Sequence, residues 1–197
     1  ALSLDLPAAS GVVVIPAFDE SPASVTRAVH AINPDVMVVL VINSPPDRSE
    51  QNASLIRHFA EHAAKPALLP AGRLPKAAND LSVCNFERTW LVVDRSNVPI
   101  PPKQGVGLAR KIGADIALAL MANGQLPHTW IHSTDADVIL PPAYADIAPP
   151  TDDVAAVVYP FAHHAEPTYA LATQLYEIAL YHYVAGLALA GSPYAHH

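Results

Sequence analysis

Asp135 and Asp137 stand one residue apart where a β-branched and aromatic run, His128-Thr129-Trp130-Ile131-His132-Ser133-Thr134, gives way to Val138-Ile139-Leu140-Pro141-Pro142. Two carboxylates at the end of a strand can present oxygens to a hard divalent cation, and Mg²⁺ is commonly held by one or two carboxylates plus substrate phosphates. The same pair also suits a plain turn, because Asp favours turns and helix caps. On its own it leaves both readings open. A second stretch, Lys103-Gln104-Gly105-Val106-Gly107, opens a helix. Its glycines let the backbone approach a ligand, while the helix N-terminus and Lys103 favour a phosphate. With no Gly-Lys-Ser/Thr it is not a P-loop, and a flexible entry into a helix is the competing reading.

The elements that must position these residues are legible in order. Residues 1–10 read as a leader. Gly11–Pro16 (GVVVIP) is an apolar run of the kind buried on both faces of a sheet. Ser21-Pro22 caps and starts a helix expected over Ala23–Ile32. A second strand is expected over Val36–Ile42 and a helix over Ser49–Ala64, with Leu55, Ile56 and Phe59 inward. Residues 65–88, broken by Pro and Gly, read as a long loop. A strand over Trp90–Asp94 follows, then a helix over Gly105–Met121 with Val106, Ala109, Ile112, Ile116 and Leu120 on one face. A central strand over Thr129–Ser133, a fifth over Val154–Tyr159 and a long apolar helix over Thr168–Leu189 complete the chain. Strands alternating with helices imply an α/β fold, a mostly parallel open sheet flanked by helices, in a single domain over 11–197.

The totals narrow the function. A net charge of −7 with no basic cluster argues against nucleic acid as a partner. A single cysteine, Cys84, excludes an internal disulfide and favours a reducing compartment, hence a cytoplasmic protein. The last helix carries Gln174, Glu177 and His182. Such residues are costly at mid-membrane, so it reads as a buried helix or one facing a protein or a membrane surface rather than as a span.

In an open α/β sheet, ligands bind beyond the carboxyl ends of the strands. There Ala17–Glu20, Asn43–Asp47 and Asp135–Asp137 would meet. Together with Val13-Val14-Ile15-Pro16-Ala17-Phe18-Asp19-Glu20 and Gly105-Val106-Gly107-Leu108-Ala109-Arg110-Lys111-Ile112-Gly113, the acidic pair resembles the donor-binding half of a family 2 glycosyltransferase of the GT-A fold. The likeness covers residues 11–160, and its pieces occur in the family's order. It implies a nucleotide-diphospho-sugar transferase fold, a nucleoside-diphosphate sugar as donor, an unknown acceptor, and Mn²⁺ or Mg²⁺ as cofactor. By position, Pro16, Ala17, Phe18 and Glu20 would frame the base and ribose. Asn43, Lys103, Gly105, Arg110 and Asp135 would line the donor site. Asp135 and Asp137 would hold the metal.

The sequence departs from that family at three places. Asn43 stands where many relatives carry Asp; an amide both donates and accepts, so uridine and guanosine both remain open. Asp19 stands where Asn is common. Inverting relatives place a catalytic carboxylate well after the Asp-X-Asp, whereas the last acidic residue here is Glu177. The catalytic base is therefore unassigned, the acceptor half is expected to be shortened or absent, and transfer is expected to be slow or absent. His163-His164 reads as a loop pair, with an imidazole ligand to the metal as the sharper alternative. A sugar nucleotidyltransferase-like enzyme would need a Gly-rich basic loop after the first strand, which Ala17-Phe18-Asp19-Glu20 is not. A non-catalytic nucleotide-binding module is the reading from a different class.

Overall fold

The computed structural model describes residues 6–43, 52–66, 81–127, 130–146, 154–193 and 195. The expected single domain over 11–197 divides into two compact units, Ala1–Ala148 and Pro149–His197. The first is α/β. Its strands are β1 (Gly11–Ala17), β2 (Val36–Ile42), β3 (Ala63–Pro66), β4 (Leu81–Phe86), β5 (Arg88–Asp94) and β6 (Ile131–Ser133). They lie in the order β3-β4-β5-β2-β1-β6. The pairs β1–β2, β2–β5 and β1–β6 are parallel, and β3–β4 and β4–β5 are antiparallel. The sheet is therefore mixed and mostly parallel.

β5 and β2 lie at its centre, and β2 pairs with β1 in register from Gly11↔Val36 to Ala17↔Ile42. Every residue of β1 and β2 is buried. That explains why both read as continuous apolar runs rather than alternating ones. Helix α3 (Gly105–Ala122) covers one face, setting Ala109, Ile112 and Ile116 against Val14, Val41 and Val93. Burying each such aliphatic side chain contributes about 1.5–3 kcal/mol. Gly113 allows the close approach: a Cβ there would lie 2.3 Å from Val14 Cγ1. Val106, expected on the inward face, is exposed instead, in the first turn of the helix.

Helix α1 (Pro22–Val29) starts as its sequence requires, with the Ser24 N–H donating to Ser21 Oγ at 3.0 Å and Pro22 in the first turn. At its far end the Arg88 guanidinium donates to the carbonyls of Val29 (2.8 Å) and Ile32 (3.1 Å). Helix α2 (Ala53–Glu61) buries Leu55 and Phe59, and the Phe59 ring meets Trp90 at 5.0 Å. The start expected at Ser49 lies outside the described residues.

Three expectations are corrected. Residues 65–88 are not one loop: β4 runs through Leu81–Phe86 and forms a tight hairpin with β5, turning at Glu87 (φ 56°). The strand expected to be central, at Thr129–Ser133, is β6 at the edge of the described sheet; Thr129 is outside the described set and Trp130 precedes the strand. Residues 154–159 form no strand. An apolar run needs a ladder partner as well as β-branched residues, and the second unit contains no described strand to pair with it.

In that second unit helix α4 (Ala170–Leu189) appears where a long helix was expected. None of its residues is buried, and Leu171, Tyr176, Tyr183 and Leu189 are exposed. Among the described residues no helix is long and apolar enough to cross a membrane.

Candidate functional site

The carboxyl ends of β1 and β2 are tied together by one side chain. Asp19 takes a left-handed backbone (φ 60°), which Asp tolerates better than most residues, and so turns the chain sharply after β1. Its N–H donates to Asn52 Oδ1 at 2.9 Å, while Asn52 Nδ2 donates to the carbonyl of Asn43 at 2.7 Å. Asn43 in turn donates its N–H to the Ala17 carbonyl at 2.7 Å, extending the β1–β2 ladder by one step. Asn52 is fully buried and, although it precedes α2, makes no capping bond. Its amide is spent on holding the loop that carries Glu20.

The acidic pair is held as firmly. The Thr134 N–H donates to the Val14 carbonyl at 3.1 Å, carrying the β1–β6 ladder toward Asp135. The Tyr144 hydroxyl donates to the Ser133 carbonyl at 2.8 Å. From α1, the Ser24 hydroxyl reaches the Ala136 carbonyl at 3.4 Å. Ala136 is buried while Asp135 and Asp137 on either side are exposed, so the turn presents both carboxylates outward. Arg110, on α3, forms an ion pair with Asp135.

Charge gathers at this edge. The Glu20 pKa is raised, first by partial burial and then by the charge of Asp137, with smaller contributions from Asp19 and Asp135; a hydrogen bond from Ser24 opposes the rise. Massed carboxylates of this kind fit a divalent cation, which would relieve their repulsion and prefers oxygen ligands. No group of three or more His, Cys, Asp or Glu side chains is preassembled as a ligand set among the described residues. A cation here would therefore take further oxygens from a ligand or solvent, as Mg²⁺ commonly does. His132, three residues before Asp135, is buried against Tyr144, and burial lowers its pKa, with the charge of Asp146 opposing the shift.

Of the residues singled out by sequence, the structure brings Glu20, Asp135, Asp137 and Arg110 together. Pro16 and Ala17 are buried within β1, and Phe18 is half-buried just beyond. Asn43 lies at the end of β2 and is linked to the Glu20 loop through Asn52. Lys103 is exposed in the turn before α3, and Gly105 begins that helix with a positive φ of 39°. No hydrogen bond or ion pair joins Lys103 to the carboxylates among the described residues. Cys84 is buried, donates its thiol to the Phe59 carbonyl at 3.2 Å and has a pKa raised by burial, all features of an inert thiol. In the second unit, Glu177 Oε1 accepts from the His163 backbone N–H at 2.8 Å and lies 2.5 Å from its ring Nδ1.

Sequence reasoning missed Ser24 and Asn52. Both act on backbone atoms remote in sequence, which no local pattern records.

No protein-family model, no curated protein and no solved structure matches this chain.

Proposed function

We propose that the first unit binds the nucleoside-diphosphate part of a sugar donor, with a divalent cation at Asp135 and Asp137, and serves a glycosyltransferase of the GT-A type. The observation that carries this reading is the grouping of Glu20, Asp135 and Asp137 at the carboxyl ends of adjacent parallel strands, with the charges felt at Glu20. That edge is where open α/β sheets bind ligands, and the order of the sequence motifs adds to it.

Asp135 and Asp137 would hold the Mn²⁺ or Mg²⁺, whose positive charge would offset the negative charge building up on a departing diphosphate. Arg110 pairs with Asp135 before a ligand arrives and would supply a positive charge beside the bound diphosphate. Asn52 fixes the Glu20 loop against β2, so the ribose side of the site is set before binding. Glu177 is already engaged by His163 and is not assigned as the base.

Calorimetry with UDP and GDP in Mn²⁺ tests the reading. Asp137→Ala should weaken binding at least tenfold, and Asp135→Ala less, with the fold intact by circular dichroism. Equal affinity in chelator and in Mn²⁺ would remove the metal assignment. Absence of binding to either nucleotide would remove the donor reading.

A further inference from the structure

The second unit exposes its apolar side chains. Residues 154–189 carry most of the large hydrophobic side chains exposed among the described residues, including Leu171 (70%), Leu175 (58%), Ile178 (54%) and Leu189 (91%). The same stretch has two acids, Glu166 and Glu177, and no lysine or arginine. Contiguous apolar surface of this kind marks an interaction site.

Exposure along α4 is periodic. Residues 170, 173, 177, 180, 184 and 187 are half-buried. On that side Glu177 accepts from the His163 backbone N–H, and Thr173 and Glu177 line an open cleft within the unit. At about 100° per residue, the far side carries Leu171, Leu175, Ile178, His182, Ala185 and Leu189, all exposed. Their spacing alternates four, three, four, three, four. That is the heptad seam by which one helix packs along another.

Charge and area decide what the seam accepts. Its flanks are Ala172, Ala179 and Gly186 on one side and Gln174, Tyr181 and Ala188 on the other, none of them charged. Those are the positions where paired helices place the salt bridges that choose a partner. Without them an identical helix meets no like-charge repulsion, and a charged foreign helix finds nothing to pair with. A lipid surface fits less well, because helices that lie on membranes hold lysine and arginine on their polar face. Large side chains offer about 60–250 Å² each when fully exposed. Those of this unit, half to nine-tenths exposed, together offer on the order of 1,000 Å², against the roughly 800 Å² that each partner of a stable pair contributes. His182 is the one ionisable residue in the seam, and a single polar residue at such a position restricts the register of the two helices.

We propose that α4 is a dimerisation helix, its seam packed along the same seam of a second copy of this chain about a twofold axis, so that the contacts are reciprocal. Pairing of this kind does not depend on what the first unit binds.

Sedimentation velocity of the full chain tests it from about 1 to 100 µM, the range over which a dimer with a micromolar Kd assembles. At the upper end the wild type should sediment as two copies of the 20.9 kDa chain. Leu175→Glu combined with Ile178→Glu sets like charges against each other across the seam and should raise the dimer Kd at least about a hundredfold. Both side chains are exposed in one copy, so its circular dichroism should not change. Leu175→Ala brings in no charge and should raise the Kd about tenfold, because each copy loses apolar surface from the seam. Leu118→Glu, at an exposed position of the first unit, should leave the Kd unchanged. A wild type that stays monomeric at the highest concentration would overturn the pairing and leave the seam to a different protein or to another part of the chain. So would an assembly other than a dimer, a dimer that neither seam variant weakens, or an equal loss in Leu118→Glu.

Discussion

Glu20 and Asp137 face each other closely enough across the carboxyl edge of the sheet that, after partial burial, the charge of Asp137 is the strongest influence raising the Glu20 pKa. Between the unfolded and the higher folded pKa, the folded protein therefore tends to keep a proton that the unfolded chain has lost. Stability from this group is fully present below the unfolded pKa and is lost as pH rises through the higher folded value. Glu20→Gln should melt above the wild type at pH 7 without metal, by less than about 1 kcal/mol after solvent screening. The difference should vanish below about pH 4, where the unfolded carboxyl is also protonated. Melting curves of both proteins across that range check the sign.

Arg110 occupies Asp135 in the ligand-free protein, so it competes with any cation for that carboxylate. Arg110→Gln should tighten binding of Mn²⁺ alone, by roughly two- to tenfold for a partly exposed pair. Binding of a nucleoside diphosphate in saturating Mn²⁺ should weaken, since a positive charge beside the ligand is lost. Metal titration followed by nucleotide titration separates the two effects. Weaker Mn²⁺ binding in the variant would mean that Arg110 orients Asp135 for the metal rather than blocking it.

Asn52→Ala should destabilise the protein by about 1–3 kcal/mol, the penalty for leaving buried backbone partners unsatisfied. The two groups affected are the Asp19 N–H and the Asn43 carbonyl. For a chain of this size that is a fall of roughly 2–12 °C in melting temperature. A water filling the vacated space would restore part of it, and an unchanged melting temperature would show that the amide bridge contributes nothing net.

Gly113→Ala tests the contact between α3 and the sheet. The added Cβ would meet Val14 Cγ1 at 2.3 Å and Val41 Cγ2 at 3.3 Å, neither of which can move freely inside the core. Alanine's better helix propensity returns only about 1 kcal/mol. Overpacking costs about 1–3 kcal/mol, so denaturant unfolding should show a net loss. A more stable variant would mean that the helix can lift from β1 without penalty.

Much of the frame could be read from residue order. Val36–Ile42 is a strand at both expected limits, and Ser21-Pro22 starts α1 as its capping chemistry dictates. Such features are local, and local chemistry suffices for them. β4 was hidden because Leu81 and Val83 alternate inward for only a few residues, with Cys84 breaking the pattern. The apolar run at β6 looked central because composition reports burial, not the position of a strand in the sheet. Val154–Tyr159 has strand residues but no neighbour to make a ladder with. In the candidate site the carboxylates were visible by type and spacing. Asn52 and Ser24 were not, since their importance lies in reaching a carbonyl or N–H distant along the chain; Ser24 and Ala136 are 112 residues apart.

β6 matches β1 only from Val12↔Ile131 to Val14↔Ser133, and it closes one end of the described sheet. β2, at the centre, is seven residues long and buried throughout. A short border strand can fray and re-form without the core opening. Amide hydrogens of residues 131–134 should therefore trade with deuterium long before those of 36–42, even though both belong to one sheet. The acidic pair rides on the part of the molecule with the fastest clock, and an occupant of the edge would be felt first as a slowing of that clock.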